Sequence, residues 1–139
     1  MNLEDEVDLK AFEHAYIVCM LWSSNDESTP SGGEPLDANY DIDDIDLQTR
    51  QAITAECREF CQMVVETLDI TVLPGWTPEQ AGHDFWLTRN GHGAGFWDRY
   101  SGGHVWEALG DWLKDAVGWR TDFPEQDPYV GDDGKIYIS

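Results

Sequence analysis

The stretch that decides the fold is 82-GHDFWLTRNGHGAGFWDR-99, which holds two Phe-Trp pairs, a Gly-rich centre and two of the chain's four histidines. Runs rich in aromatic residues flank that centre on both sides, as strands flank a hairpin turn. The pattern predicts a β-hairpin with strands Asp84–Thr88 and Ala94–Asp98, joined by a type I′ turn at Asn90-Gly91 or a type II′ turn at Gly91-His92. The aromatic side chains expected to fix the helices on the sheet are Phe85, Trp86, Phe96 and Trp97.

Upstream of this hairpin, residues 4–22 predict a first helix. Its apolar side chains recur at the i, i+3, i+4 spacing of a buried stripe. From Ala15 to Trp22 nearly every position is apolar, which is typical of a helix covered on most faces. The stripe consists of Leu9, Phe12, Tyr16 and Cys19.

Residues 41–70 predict a second helix. Its start overlaps the end of an acidic loop that covers about 23–46. The aspartates of 41-DIDDID-46 are candidate N-caps, and acids at a helix N-terminus are favoured by the helix dipole. One side of the helix is apolar, with Ile53, Cys57, Phe60, Val64 and Leu68. The opposite side is acidic, with Glu56, Glu59, Glu66 and Asp69.

The second half of the chain completes a small domain. Residues 104–117 predict a third helix, and 129-YVGDDGKIYIS-139 predicts a last hairpin whose turn is Asp-Asp-Gly. The expected fold is a single α+β domain over residues 1–139. Two N-terminal helices would pack on a short antiparallel sheet of hairpins, with one further helix.

The charge limits which partners are possible. The formal net charge is −20, from 28 Asp and Glu against eight Lys and Arg. A folded chain of this length is about 37 Å across, and a duplex of that length carries roughly 20 phosphate charges. Direct binding to nucleic acid is therefore excluded, and basic surfaces are the expected partners. The longest apolar run, 15-AYIVCMLW-22, is too short to span a bilayer, and the acidic N-terminus predicts no secretory signal.

Two interpretations of these carboxylates stay open: a decoy for DNA, and charge that serves solubility alone. Acids held on rigid elements bind a basic groove without the cost of ordering a flexible chain. Acids of the first helix, at Glu4, Asp5, Glu6, Asp8 and Glu13, belong to the same hypothesis. The main partner-binding residues are expected to be Asp41, Asp43, Asp44, Asp46, Glu56, Glu59, Glu66 and Asp69.

An enzyme is the competing interpretation. A metal-dependent hydrolase or nuclease would use His83, Asp84, His92 and Asp98, which are suitable ligand types. No recognised metal-binding spacing is present, however, and 41–46 lacks the Gly and the final Glu of a calcium loop. Polar contacts within the fold, including pairing of Arg89 with a nearby carboxylate, explain these residues better. We therefore expect no catalysis, no metal and no cofactor.

The cysteines give no reason to expect a nucleophile. The chain has three, an odd number, and all lie in apolar helical contexts. Cys57 and Cys61 are four residues apart, on or beside the apolar face, where thiols are usually inert. The expectation is reduced, buried thiols in a cytoplasmic protein.

The stretch 82–99 also resembles a motif in a family of small proteins encoded by phages, prophages and other mobile elements. The similarity extends to FEHAYIVCMLWSS, to 35-PLDANYDIDDI-45, to the cysteine-containing second helix and to the terminal YVGDDGKIY. The Trp-rich region at about 100–127 departs from the family pattern.

The resemblance assigns no catalytic residue, and it implies a role in the host cytoplasm. Small acidic proteins of mobile elements often occupy the nucleic-acid-binding surfaces of host defence proteins, of the restriction or CRISPR type. A virion assembly protein is a third possibility. The sequence leaves the oligomeric state open.

Overall fold

A computed structural model describes residues 1–28, 33–69, 71–72, 76–90, 123 and 125–139. Within these residues the chain forms three α-helices and two antiparallel sheets of two strands each, so the α+β class is confirmed. The elements are α1 (Glu6–Ser23), β1 (Asn25–Asp26), β2 (Glu34–Pro35), α2 (Leu47–Leu68), α3 (Pro78–Arg89), β3 (Pro128–Val130) and β4 (Ile136–Ile138).

The predicted helix α1 is confirmed. It begins after Asp5, whose carboxylate accepts hydrogen bonds from the backbone N–H groups of Val7 and Asp8, as an N-cap should. Phe12, Tyr16 and Cys19 of the predicted stripe are buried, and Leu9 is half-buried. Beyond residue 23 the acidic loop contains the short pairing of β1 with β2, in register Asn25 to Pro35 and Asp26 to Glu34.

Helix α2 is confirmed as well, and it begins at Leu47 because Asp46 caps it. The Asp46 carboxylate accepts a hydrogen bond from the Thr49 backbone N–H at 3.1 Å. Ile53, Cys57, Phe60 and Val64 are buried as predicted. The helix is closed by Asp69, which adopts the left-handed conformation with φ 53°, as a residue at a helix C-terminus often does.

The strand predicted at Asp84–Thr88 is wrong, because these residues lie inside α3. Helix signals before the stretch decide the outcome. Thr77 accepts a hydrogen bond from the Gln80 backbone N–H, and Pro78 occupies the first turn, a combination typical of a helix start. Ala94–Asp98, with Phe96 and Trp97, and the helix predicted at 104–117 lie outside the described residues.

Phe85 is the centre of the aromatic core, so it does join the helices, but from α3. Its ring stacks on Phe60 of α2 with centroids 4.1 Å apart and lies 5.3 Å from Tyr16 of α1. Phe123 packs edge-on against the same ring at 5.3 Å. Trp86 is buried beside Tyr16, and its indole N–H donates to the Ser23 hydroxyl at 2.8 Å. The aromatic residues thus pack one helix against two others.

The terminal hairpin is confirmed. β3 pairs with β4 in register Pro128 to Ile138, Tyr129 to Tyr137 and Val130 to Ile136. Gly134 in the turn has φ 77°, a conformation that glycine adopts without strain. The outer edge of β4 contacts the acidic loop, since the Asp46 backbone N–H donates to the Ile136 carbonyl at 3.0 Å. No helix in the described parts of the chain is long and apolar enough to cross a membrane.

Gly82 lets α3 approach α1 closely. A larger side chain at this position should therefore disturb the packing of the two helices. A Cβ at this position would lie 2.0 Å from the carbonyl oxygen of Phe12 and 3.1 Å from the backbone nitrogen of Tyr16. Gly82→Ala must therefore push the two backbones apart, and we expect a loss of about 3 kcal/mol in the free energy of unfolding. Urea denaturation measures it.

Gln80→Ala, at an exposed position of the same helix, is the control, and its effect should stay within about 0.5 kcal/mol. Equal stability of the two variants would contradict the close packing of α1 on α3.

Candidate partner-binding surface

The carboxylates of 41–46 are held in place by main-chain hydrogen bonds. Residues 42–44 form a short 3₁₀ helix with a reciprocal cap: the Asp41 carboxylate accepts from the Asp43 N–H, and Asp44 accepts from the Asp41 N–H at 2.8 Å. Asp46 caps α2. Asp41 and Asp43 are exposed, and Asp44 and Asp46 are half-exposed. This segment is therefore an ordered array of negative charge.

The outer side of α2 extends this array. Glu59, Glu66 and Asp69 are exposed, as predicted. The helix has 22 residues and is therefore about 33 Å long. We define the acidic surface as the acids of residues 41–46 together with the exposed acids of α2 and of its C-cap. Its residues are Asp41, Asp43, Asp44, Asp46, Glu59, Glu66 and Asp69.

Two of these acids lie where negative charge destabilises the helix. Glu66 and Asp69 lie at the C-terminal end of α2, where the helix dipole disfavours negative charge, and no basic residue occupies the last turn. An acid in this position typically costs about 0.3–1 kcal/mol. Helix stability therefore does not explain them.

Glu56 does not belong to this surface and is a correction to the predicted set. Its Oε2 accepts hydrogen bonds from Arg89 Nη1 at 2.9 Å and from Gln126 Nε2 at 3.1 Å. Only 27% of its side chain is exposed. The pairing of Arg89 with a carboxylate was predicted, but Glu56 as its partner was not, since the two are 33 residues apart.

The acids of the first helix are also only partly available. Glu13 is buried, and its Oε1 accepts hydrogen bonds from the Thr54 hydroxyl and from Arg50 Nε of α2. Glu6 is exposed but forms an ion pair with Arg58, which lowers its pKa through the hydrogen bond and the nearby positive charge. The buried Glu13 is therefore not part of an acidic surface, whereas the role of Glu6 as a phosphate surrogate stays a prediction.

The arginines of the described residues pair with acids of the same chain. Arg50, Arg58 and Arg89 each form an ion pair with a glutamate. They match acids that connect the helices, so within the described ranges no arginine pairs with a member of the acidic surface. Lys10 and Lys135 are the exposed lysines of the described residues.

Two members of the proposed metal site face different surroundings. His83 stacks on Trp22 with ring centroids 5.6 Å apart, and its Nε2 accepts a hydrogen bond from the Trp22 indole N–H at 3.3 Å. Asp84, the next residue of α3, is buried. His92 and Asp98 lie outside the described residues. Across the described ranges, no three His, Cys, Asp or Glu side chains are grouped to hold a metal ion.

A groove in the described part of the chain is lined mainly by polar groups. It has a volume of about 900 Å³ and lies between the ends of α1 and α3 and the start of β3. Its described lining includes Ser23, Asn90, Gln126 and Asp127, and contains neither histidine nor cysteine. The Ser23 hydroxyl is already engaged, because it donates to the Cys19 carbonyl and accepts from Trp86.

No model of a known protein family matches the chain. Searches of the curated proteins and of the solved structures find no similar chain either.

The cysteines are buried and free, as predicted. Burial raises the pKa of Cys19 and of Cys61 to about 12 and raises the pKa of Cys57 well above its usual value. At about pH 8 all three thiols should be protonated and inaccessible. We expect no reaction of the native protein with a thiol-specific dye, and reaction of three thiols in denaturant. Rapid labelling of the folded protein would contradict this burial.

The contrast between Glu56 and Glu59 can be measured directly. Both lie on α2 and both can be changed to glutamine, but only Glu56 neutralises a buried arginine. Glu56→Gln should lower the free energy of unfolding by about 2–3 kcal/mol, since removing one partner leaves a buried charge unmatched. Glu59→Gln should change it by less than about 0.5 kcal/mol. Denaturant titration of both variants tests this. Equal free energies of unfolding would contradict the pairing of Glu56 with the buried Arg89.

Proposed function

We propose that this chain is an acidic binding protein of a phage or another mobile element, and that it inhibits a host nucleic-acid-binding defence protein by mimicking DNA. The acidic surface would occupy the basic groove that normally holds phosphates. The observation that carries the proposal is the ordered carboxylate array at residues 41–46, fixed by capping hydrogen bonds at the start of a 22-residue helix.

Order matters because a binding surface that is already fixed avoids the entropy cost of immobilising side chains and loops. The Asp41, Asp44 and Asp46 carboxylates accept backbone N–H groups, so their positions are set by the fold. The acidic surface extends over about 33 Å along α2, close to one helical turn of B-DNA. That length fits a groove which follows one turn of a duplex.

The distribution of charge supports binding over solubility alone. Solubility needs net charge but not its placement at the C-terminal end of α2, where it opposes the dipole. The resemblance to proteins of mobile elements favours a target in the host cytoplasm, such as a restriction enzyme or a CRISPR effector. Association driven by such charges should be fast and strongly dependent on salt.

The test begins with affinity capture from a host lysate at about 50 and 300 mM salt, followed by mass spectrometry. The expected result is a nucleic-acid-binding protein that is recovered at low salt and reduced at high salt. The purified partner is then bound to labelled duplex DNA, and the acidic protein should displace the duplex in an anisotropy assay. Capture without displacement would contradict mimicry.

Matched variants separate position from total charge. Asp43→Asn, Glu59→Gln and Glu66→Gln together remove three charges from the acidic surface. Glu27→Gln, Glu79→Gln and Glu125→Gln remove three exposed charges elsewhere. The first set should weaken partner binding about tenfold, at up to about 1 kcal/mol for each exposed pair, whereas the second should change it little.

Thermal unfolding is the control for both triple variants. The surface variant should be at least as stable as the parent, because Glu66 opposes the dipole of α2. Equal weakening by the two triple variants would show that total charge, and not this surface, drives binding. Unchanged binding in the surface variant would exclude α2 from the interface.

A further inference from the structure

The terminal hairpin carries an exposed pair of stacked aromatic rings. Tyr129 of β3 and Tyr137 of β4 are direct cross-strand partners, with ring centroids 5.8 Å apart and planes inclined by 23°. Tyr129 is 47% exposed. A shallow depression of about 600 Å³ lies here, lined by Tyr129, Val130, Gly131, Asp132, Asp133 and Tyr137. We call this depression the tyrosine cleft.

The cleft is preorganised. Tyr137 donates a hydrogen bond to Asp133 Oδ2 at 2.6 Å, and Asp133 Oδ1 accepts the Lys135 backbone N–H at 3.0 Å. The Tyr137 ring lies against Gly131, where an added Cβ would be 2.6 Å from the ring atom Cε2. A glycine at this position is therefore what allows the ring to lie over the turn.

The cleft is also negatively charged. The hydrogen bonds from Tyr137 and from the Lys135 backbone hold the pKa of Asp133 below its usual value. The same hydrogen bond to Asp133 raises the pKa of Tyr137 to about 12, with a smaller effect from the nearby charge of Asp46. Asp132 is exposed on the same turn, and Lys135 is the neighbouring cation. Asp46 is itself a member of the acidic surface, so the negative charge of the cleft continues into that surface.

We propose that the tyrosine cleft binds an arginine side chain of the basic partner. A guanidinium is planar, so it can stack on the exposed Tyr129 ring while the neighbouring carboxylates of Asp132 and Asp133 attract its charge. This inference deepens the proposed function and rests on it, because the arginine would belong to the groove that the acidic surface enters. It identifies the short-range contact that a purely charged surface lacks.

Arginine suits this cleft better than lysine does. An ammonium is more strongly hydrated and has no flat face to stack on a ring. Phosphate-binding grooves use both residues, so the cleft would favour grooves that present an arginine at its position.

The experiment uses the full chain and two short peptides with blocked ends, a tetra-arginine and a tetralysine. Backbone amide NMR spectra are recorded during titration with each peptide at about 50 and 300 mM salt. The expected result is that the arginine peptide shifts the amides of Tyr129, Asp133 and Tyr137 and still shifts them at the higher salt concentration. The lysine peptide should bind more weakly and lose most of its effect at high salt.

Two pairs of variants define the contact. Tyr129→Phe keeps the ring and should bind the arginine peptide as the parent does, whereas Tyr129→Leu should bind it about two- to fivefold more weakly. Asp132→Asn should weaken the arginine peptide more than Glu79→Gln does, although both remove one exposed charge. Near-identical spectra away from the hairpin establish that the variants fold.

Three outcomes would contradict arginine binding in the tyrosine cleft. They are shifts confined to residues 41–46 and α2, equal binding of the two peptides at high salt, and parent-like binding by Tyr129→Leu. None of them depends on the natural target, so they leave the capture and displacement results of the proposed function unaffected. Conversely, a partner that never competes with DNA would remove the mimicry while arginine binding to the cleft still stood.

Discussion

The buried guanidinium of Arg89 is the constraint on which the rest of the structure depends. Its side chain is completely buried, and Nη1 donates to Glu56 Oε2 at 2.9 Å and to the Tyr16 hydroxyl at 3.1 Å. Burial lowers the pKa of Arg89, but Tyr16 and Glu56 outweigh that effect and raise it above its usual value. A charge buried in this way is tolerated only where its partners are fixed. The fold must therefore bring α1, α2 and α3 together at this point.

The same network positions the C-terminal hairpin. Gln126 donates to Glu56 through Nε2 and accepts from Tyr16 through Oε1, while its backbone N–H donates to Asn90 at 2.8 Å. The hairpin begins two residues later, and its second strand receives the Asp46 backbone N–H. Contacts thus run from the buried arginine through the hairpin to the acidic loop. The tyrosine cleft and the first carboxylates of the acidic surface owe their positions to this chain of contacts.

How much of this was predictable depends on whether an element shows two different faces. Helix α2 does, and its buried stripe and its exposed Glu59 and Glu66 followed from spacing alone. Helix α3 does not, because Phe85, Trp86 and Arg89 are all buried, and a helix covered on most sides loses its period of about 3.6 residues. The aromatic-rich run 84–88 beside a Gly-rich turn signal then indicated a strand, although Thr77 and Pro78 gave the signal for a helix. Tertiary contact also explains Glu56, which spacing places on an outer face and Arg89 draws into the core.

The acidic surface and the tyrosine cleft act at different distances. At physiological salt the field of exposed charges decays over about 8 Å, so the carboxylates attract any basic surface that comes near and distinguish poorly among such surfaces. Stacking of a guanidinium on a ring requires contact and is little affected by screening. Charge would therefore govern how fast a partner arrives, and the cleft would govern which partner stays. A chain that bound through charge alone would bind many basic proteins alike, so the proposed decoy would gain its selectivity from a short-range contact beside the acids.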